Sequence, residues 1–311
     1  MQEQPDIFSS LQQRNPQSQQ FPLGGMKLLS DLGFFSSQRN VTPTHIYRIA
    51  SHCTESAFVF SQFRGALDRL IEWCPHHPSL SKITTGEAFA TLGISQLSTS
   101  HQHKAPTLMA TPVEGGWRLQ GFAPWVTGAH HADFFLLGAK NTLREHLLFW
   151  IPKRDVFLHP AWKLTALNAC DTAKVSIDSV VSKDCLIHRT VSGATKTGSL
   201  RSAAMALGIA AQSLSIIKKQ AQKRPALKQT EKNLQQQLQH FQEQLLHNVD
   251  RISYRFAVNQ LALSSSQQAL VATKGRGYLL SEQASTLCQQ ALFFLVWSCP
   301  ESVQYKHLGI T

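Results

Sequence analysis

Side chains that could bind a metal or attack a substrate are scattered through this 311-residue sequence rather than grouped. Two histidine pairs, His101 with His103 and His130 with His131, lack a Cys or carboxylate at a spacing that would complete a zinc site. The cysteines form no Cys-x-x-Cys pair, which favours reduced, structural thiols. They are Cys53, Cys74, Cys170, Cys185, Cys288 and Cys299. The sequence therefore predicts no metal site.

Motifs for common covalent and nucleotide chemistry are missing as well. The sequence has no Gly-x-Ser-x-Gly nucleophile elbow and no phosphate-binding Walker loop. Gly275 and Gly277 have one residue between them but lack the third glycine of a dinucleotide-binding fingerprint, and they sit inside a helical pattern. The chemistry must therefore be sought in how the elements of the fold bring distant residues together.

Composition and charge limit the classes of protein to consider. Hydrophobic residues make up 42% of the chain, which excludes a wholly disordered protein. The net charge is +11, but the basic residues are dispersed and no aromatic and basic block is present, so a nucleic-acid partner is not expected. No membrane span and no secretory signal are predicted, and the location expected is the cytoplasm.

Hydrophobic periodicity divides the chain into a tail and three regions. Residues 1–22 are rich in Gln and predict a flexible tail. Residues 23–85 have helical spacing and predict a short N-terminal helical domain. Residues 86–190 alternate with a period of two and predict a compact antiparallel β-barrel or sandwich, with Glu114–Gly116 as a turn. Residues 195–311 predict a C-terminal bundle of long helices.

The C-terminal bundle is predicted from three apolar stripes. The first runs from Leu200 to Ile217 and the second, close to a heptad seam, from Leu234 to Phe256. A third helix is expected from about Gln267 to Trp297. The fold class predicted is thus α+β and mostly α, with helical, β and helical-bundle domains in that order, and long antiparallel helices that bury their stripes against each other.

This order of domains resembles that of the acyl-CoA dehydrogenase family, and three local segments strengthen the resemblance. Residues 116–133 (GWRLQGFAPWVTGAHHAD) are similar to a family segment with a Trp, an aliphatic residue and a Thr before Ala-Asp. Residues 163–181 (KLTALNACDTAKVSIDSVV) resemble a strand region of the family. Residues 203–211 (AAMALGIAA), with Arg224 downstream, are similar to a family helix. The chain is identified on these grounds as a shortened, divergent member.

The resemblance implies a site for FAD. It places the indole of Trp125 and the hydroxyl of Thr127 against the flavin ring, where a planar face and a hydrogen-bond donor suit the ring. Thr91 corresponds to a second flavin contact, in a loop that has lost the family's acid, proline, Gly-Ser pair and Asp. Arg224 corresponds to an Arg that approaches the FAD pyrophosphate of a neighbouring subunit, although the Phe-Gly pair after it is missing. Each of these residues also has a plain structural interpretation.

The family's dehydrogenases need a carboxylate that removes the α-proton of the substrate. Glu301 is the only acid near the corresponding position, in the segment 292–303 (LFFLVWSCPESV), which lacks the family's glycines. The alternative position on the first helix of the bundle has no acid. Glu301 is therefore the candidate catalytic base if two residues are deleted relative to the family, and it is otherwise an exposed acid in a turn.

Two functions follow from the resemblance and stay open. The first is an FAD-dependent oxidoreductase that acts on the CH–CH group of an acyl thioester, such as an acyl-CoA, or on a related small molecule, or that activates oxygen as the family's monooxygenases do. The second is a degenerate, non-catalytic member that serves as a dimerisation or partner-binding protein. A homodimer or homotetramer packed through the bundle is implied in either case.

Overall fold

A computed structural model describes residues 7–13, 20–99, 107–190, 200–247 and 249–310. The N-terminal helices are α1 (Leu23–Asp31), α2 (Pro43–Ala50), α3 (Thr54–Trp73) and α4 (Leu80–Thr85). Eight strands follow, with one short helix, α5 (Gln96–Thr99), among them: β1 (Ala90–Gly93), β2 (Leu108–Val113), β3 (Gly116–Val126), β4 (Phe134–Lys140), β5 (His146–Pro152), β6 (Phe157–Ala161), β7 (Ala173–Ser182) and β8 (Leu186–Thr190). The last helices are α6 (Leu200–Lys223), α7 (Lys228–Leu245), α8 (Arg251–Thr273), α9 (Gln283–Phe293) and α10 (Glu301–Leu308). This confirms the predicted fold class.

The strands form one curled sheet in the order β6-β7-β3-β2-β4-β5-β8. The β2–β3, β3–β7, β4–β5, β5–β8 and β6–β7 pairs are antiparallel, as the sequence predicts. The exceptions are β1, which pairs with β4 in parallel, and a single parallel contact between β2 and β4. The chain enters the sheet through β1 directly from the helical region. Short hairpins join antiparallel strands only, so they cannot account for the parallel pairing of β1 with β4.

Alternation along β4 and β5 couples the sheet to the helices. Phe135 of β4 and Phe149 of β5 point into the core enclosed by the sheet. Leu136 of β4 and Trp150 of β5 point the other way, into a larger core shared with the N-terminal helices and the bundle. Because successive side chains of a strand face opposite sides, both faces of these strands are buried. The sheet is therefore packed against the helices and shares their hydrophobic core.

Helix α6 occupies the centre of the bundle and packs against α2, α3, α7, α8 and α9. Small residues let its neighbours approach closely: a Cβ on Gly208 would come within 2.7 Å of the Ala50 carbonyl carbon in α2. By length and composition α6 is the only helix in the described residues that could cross a membrane, and 67% of its most apolar window is buried in the protein. A core helix of this kind passes the same test.

The predicted helix bounds differ from the structure at two places. The seam from Leu234 to Phe256 is divided between α7 and α8, because Asp250 ends the connection by accepting hydrogen bonds from the Ile252 and Ser253 amides as the N-cap of α8. Leu234, Leu238 and Leu245 of the seam are buried within the chain, so they are not free to form a subunit contact. The helix expected from Gln267 to Trp297 is also interrupted, by a 3₁₀ turn at Lys274–Tyr278.

The flexible tail predicted for residues 1–22 differs from the structure over residues 7–13. Phe8 and Leu11 are buried in the helical core, and the Phe8 ring lies 5.5 Å from that of Phe34. The guanidinium carbon of Arg48 lies over the Phe8 ring, 5.2 Å from its centroid. These two apolar residues attach the segment to the helical core, although the sequence around them is rich in Gln. Residues 1–6 and 14–19 lie outside the described part of the chain.

Candidate functional site

The end of β3 carries an open pair of tryptophans. The register of β3 against β7 shifts between Ala123 and Val126, and Trp125 lies in this irregularity with 41% of its surface exposed. Its ring lies 5.6 Å from that of Trp162, at an interplanar angle of 42°. The Trp162 indole N–H donates to the Pro124 carbonyl at 3.0 Å, which fixes the second ring to the strand. The Trp125 ring is therefore held at the surface with area available to a ligand.

Thr127 follows at once but is buried. Its Oγ1 lies 3.2 Å from Oγ1 of Thr172, and its carbonyl accepts a hydrogen bond of 2.6 Å from Oγ1 of Thr91. The structure thus brings together three of the residues named from the sequence: Thr91, Trp125 and Thr127. The Thr91 hydroxyl hydrogen is used on this carbonyl, while the Thr127–Thr172 pair uses one of its two hydroxyl hydrogens and leaves the other for an acceptor.

A tight loop between β6 and β7 closes over this strand end. Leu167 and Asp171 take positive φ values of 56° and 52°, which turn the chain back on itself. The Cys170 carbonyl accepts from the Gly128 amide at 2.8 Å. Oδ2 of Asp171 accepts from the His130 amide at 2.7 Å, and its Oδ1 lies 2.8 Å from His130 Nδ1. The backbone amide and Nδ1 of His130 are therefore held by this loop, and Asp171 is a structural residue that the sequence did not single out.

An acid that the sequence analysis missed stands beside the same loop. The Glu55 carbonyl, in the first turn of α3, accepts from Cys170 Sγ at 3.8 Å. In the Glu55 side chain, Oε1 accepts from Gln290 Nε2 in α9 at 2.9 Å, and Oε2 accepts from Cys53 Sγ at 3.6 Å. Glu55 therefore lies where the N-terminal helices, the sheet and the bundle meet. Both oxygens of its carboxylate already have a donor from the protein.

Arg224 and Glu301 lie apart from this group. The Arg224 guanidinium donates to the Ala272 carbonyl and, at 3.3 Å, to Oε1 of Gln220, so it ties the end of α6 to the end of α8. Glu301 is the exposed first residue of α10, and its Oε1 accepts from the Tyr305 hydroxyl at 2.6 Å. This hydrogen bond raises the pKa of Tyr305. The structure brings neither residue to the Trp125 and Thr127 strand end.

Aromatic side chains fill the space between α3 and the end of α9. The Phe58 ring lies 5.5 Å from Phe293, 6.5 Å from Phe294 and 5.0 Å from Trp297. Phe58 and Phe294 are fully buried. Since packed rings leave no room for a chain of methylenes, this junction is a hydrophobic core rather than an acyl pocket.

The other metal and thiol candidates can be located in part. Within the described ranges no three His, Cys, Asp or Glu side chains come close enough to hold a metal ion. The six cysteines are all free thiols. The His131 ring stacks on Phe21 with 3.9 Å between centroids, and burial lowers its pKa. His101 and His103 lie outside the described residues.

Comparisons with known proteins identify the fold. No family model matches the chain. A pigment production hydroxylase from Rhodococcus sp. (strain ATCC 21145) is 26% identical over 80 residues, which cover 24% of this chain and 21% of the hydroxylase. The structure of FkbI, for biosynthesis of the methoxymalonyl extender unit of a polyketide immunosuppressant, superposes with a TM-score of 0.80 at 14% identity and covers 98% of both chains.

A glutaryl-CoA dehydrogenase from Mycobacterium smegmatis, solved in complex with FADH2, superposes with a TM-score of 0.77 at 13% identity. The match covers 98% of this chain and 93% of that enzyme. Since the superposition spans nearly the whole of both chains, the protein has the acyl-CoA dehydrogenase fold. The resemblance noted in the sequence is thereby confirmed at the level of architecture.

Proposed function

We propose that this chain binds a flavin, as FAD, and acts as an oxidoreductase on a small molecule. The observation that carries the proposal is the exposed Trp125 ring at the strand end, directly before the Thr127–Thr172 hydroxyl pair. A flat aromatic face next to a hydroxyl with a hydrogen to donate fits a planar ring whose edge carries nitrogen and oxygen acceptors. A bound flavin supplies two-electron redox chemistry at such a site.

The residues around the strand end then have separate roles. The Trp125 indole binds one face of the ring, and Trp162 holds the indole in place from the side. Both threonines are buried, so the remaining hydroxyl hydrogen of the Thr127–Thr172 pair reaches the ring edge only when the loop above them moves aside. Thr91 is a positioning residue, because it holds the Thr127 carbonyl and does not itself have a hydrogen left to donate. Arg224 has no part in this arrangement within one chain, since its guanidinium bonds Ala272 and Gln220.

The two candidate carboxylates in the described residues, Glu301 and Glu55, are both engaged by the protein, which favours oxygen-activating chemistry over dehydrogenation of a thioester. Removal of an α-proton requires a carboxylate that can reach the substrate. The Glu301 carboxylate is exposed on α10 and bonded to Tyr305, and the Glu55 carboxylate is bonded to Gln290 and Cys53. The partial match to a hydroxylase supports the same choice. We therefore propose a monooxygenase-type activity, with acyl thioester oxidation through Glu301 as the less favoured form.

A second candidate function is that of a non-catalytic partner-binding or dimerisation protein. It is supported by the aromatic packing of Phe58 against Phe293, Phe294 and Trp297, which leaves no acyl pocket between α3 and α9. It is also supported by the internal hydrogen bonds of Arg224. The two candidates differ in whether the purified protein holds a flavin.

The decisive experiment is to purify the full chain gently and record its absorption spectrum and its Tm with and without added FAD. We expect a flavin spectrum and a rise in Tm, because a ligand that binds only the native state must stabilise it. Trp125→Ala is expected to weaken FAD binding by roughly tenfold, about 1.4 kcal/mol, which is within the range for loss of one aromatic contact.

The matched control is Phe157→Ala on β6, which also removes an exposed ring from the outer face of the sheet. It should leave FAD binding unchanged. A colourless protein whose Tm does not respond to FAD would exclude the oxidoreductase and leave the partner-binding function. Equal loss in the two variants would contradict the placement of the ring at Trp125.

We also propose that the chain forms a homo-oligomer through a patch on the bundle. Apolar side chains are exposed at the end of α8, in the turn that follows, and at and just after the end of α9. We call this the bundle patch, and it comprises Val271, Tyr278, Leu279, Leu280, Leu292 and Val296. Exposed apolar groups clustered on neighbouring elements are typical of protein interfaces. The seam of α7 cannot serve, because its leucines are already buried.

A further inference from the structure

Arg255, in the first turns of α8, is a buried charge without an acidic partner. Only 4% of its surface is exposed. Its Nη2 donates to the Phe294 carbonyl at 2.7 Å and to the Trp297 carbonyl at 3.4 Å. Within the described residues, its Nε and Nη1 have no hydrogen-bond partner, and no carboxylate forms an ion pair with it. Two donors of a buried guanidinium are thus left unsatisfied.

The guanidinium keeps its charge at neutral pH. Burial lowers its pKa to about 10, which is still well above 7. A buried ion without a counter-charge destabilises the folded state, and buried charges in proteins are accordingly paired or bound to an ion. Arg64 shows the usual solution in the same molecule, since its buried guanidinium donates to Asp68 Oδ1 at 2.6 Å.

The side chains next to Arg255 do not supply that counter-charge. Burial raises the pKa of the Cys299 thiol, which keeps it neutral at pH 7. Burial, and then the charge of Arg255, lower the pKa of His307, which keeps the imidazole neutral too. The Asp250 carboxylate is bonded to the amides of α8, and the Glu301 carboxylate is exposed and bonded to Tyr305.

Arg255 instead lines a small cavity at the end of the bundle. The cavity has a volume of about 10 Å³, and its walls include Leu200 and Ala203 of α6, Arg251 and Arg255 of α8, and Ser298 and Pro300 of the turn before α10. This volume is about that of the space in which one water-sized group can centre itself. Two arginines and the positive end of the α8 dipole make it electropositive.

We propose that this cavity binds one monatomic anion of the halide class, held by the unsatisfied N–H groups of Arg255. A cavity of this size has room for one group of about the size of a water molecule, so a single-atom anion suits it better than sulfate or gluconate. A water molecule is the rival occupant, since it could bridge Arg255 and the unpartnered Oδ1 of Asn259, but it would leave the charge uncompensated. A halide would connect α6, α8 and the turn of 298–300, and would stabilise the folded state.

The test is the Tm of the full chain at constant ionic strength, with chloride replaced stepwise by gluconate. We expect Tm to be roughly 2–4 °C higher at 150 mM chloride than in gluconate, as mass action predicts for a site that is well occupied. Bromide should act like chloride. Arg255→Met should abolish the difference between the salts, and in gluconate it should be at least as stable as the wild type, because it removes the unpaired charge.

Arg64→Met is the matched control, because it also removes a buried guanidinium but one that Asp68 already pairs. It should lower Tm in both salts and keep the chloride effect. If Arg255→Met does not fold, a bromide-soaked crystal of the wild type decides the matter through an anomalous peak within hydrogen-bond distance of Arg255. Equal Tm values of the wild type in chloride and gluconate, or an oxygen atom without an anomalous peak in the cavity, would overturn the proposal.

Discussion

At the scale of single residues, His45 links the stability of α2 to pH. Its Nδ1 accepts from the Thr42 amide at 3.1 Å and closes the capping box of the helix. Burial, and then the charges of Arg39 and Arg48, lower its pKa below 6.5. The unfolded chain therefore binds this proton more readily than the folded one, so the contribution of neutral His45 is present above pH 6.5 and is lost as the pH falls through the folded-state pKa.

His45→Gln tests this linkage, because Gln can close the same capping box without titrating. We expect similar free energies of unfolding for the variant and the wild type at pH 7.5, and a smaller loss for the variant on going to pH 5.5, both measured in urea. His76→Gln, at an exposed histidine, is the control and should follow the wild type. Parallel losses in the wild type and His45→Gln would show that His45 is not the titrating group.

The sequence and the structure agree best where a local motif marks a residue. The segment around Trp125 and Thr127 is continuous, so the sequence alone indicated its neighbourhood. Glu55 could not be found in this way, because it meets Cys170 and Gln290, which are 115 and 235 positions away. In the sequence it is only an acid in the first turn of a helix. Acids are common there because they interact favourably with the helix dipole.

At the scale of elements, the crossing of α2 and α6 depends on Gly208. A Cβ there would meet the Ala50 backbone at 2.7 Å, a distance that requires the helices to move apart. Gly208→Ala is expected to lower the free energy of unfolding by about 1–3 kcal/mol, because overpacking outweighs the gain of up to about 1 kcal/mol in helix propensity.

Gly24→Ala in α1 is the matched control, since a Cβ there would meet no atom within 4 Å. It should be neutral or should raise the stability by less than about 1 kcal/mol. Urea denaturation of both variants measures the difference. A stabilising effect of Gly208→Ala would mean that α2 and α6 are farther apart than the structure has them.

Helix and strand types were predictable from periodicity, but the ends of several helices were not. The break at Asp250 depends on a side chain that caps α8, and the apolar spacing of the seam continues through it. The burial of Phe8 depends on its contact with Phe34. One apolar ring in a Gln-rich segment is too short a pattern to predict an ordered segment from the sequence. Tertiary contacts decide such ends, and no window of sequence contains them.

At the scale of the whole molecule, the bundle patch predicts self-association. The double variant Val271→Glu with Leu280→Glu places two charges in the patch and should convert an oligomer to a monomer in size-exclusion chromatography with light scattering. Leu143→Glu is the control, because Leu143 is also an exposed leucine, 73% accessible, but lies in the turn between β4 and β5. A monomeric wild type, or an oligomer that survives the double variant, would exclude the patch as the interface.

The strand end and the loop that covers it belong to two different hydrophobic clusters. Val126 and Ala129 flank Thr127 and belong to the cluster inside the sheet, whereas Leu167 and Cys170 of the loop above it belong to the helical cluster. A local loosening of the helical cluster would therefore release the loop from Gly128. The threonine pair would then be uncovered, so access to this corner depends on the stability of the helical packing that holds the loop.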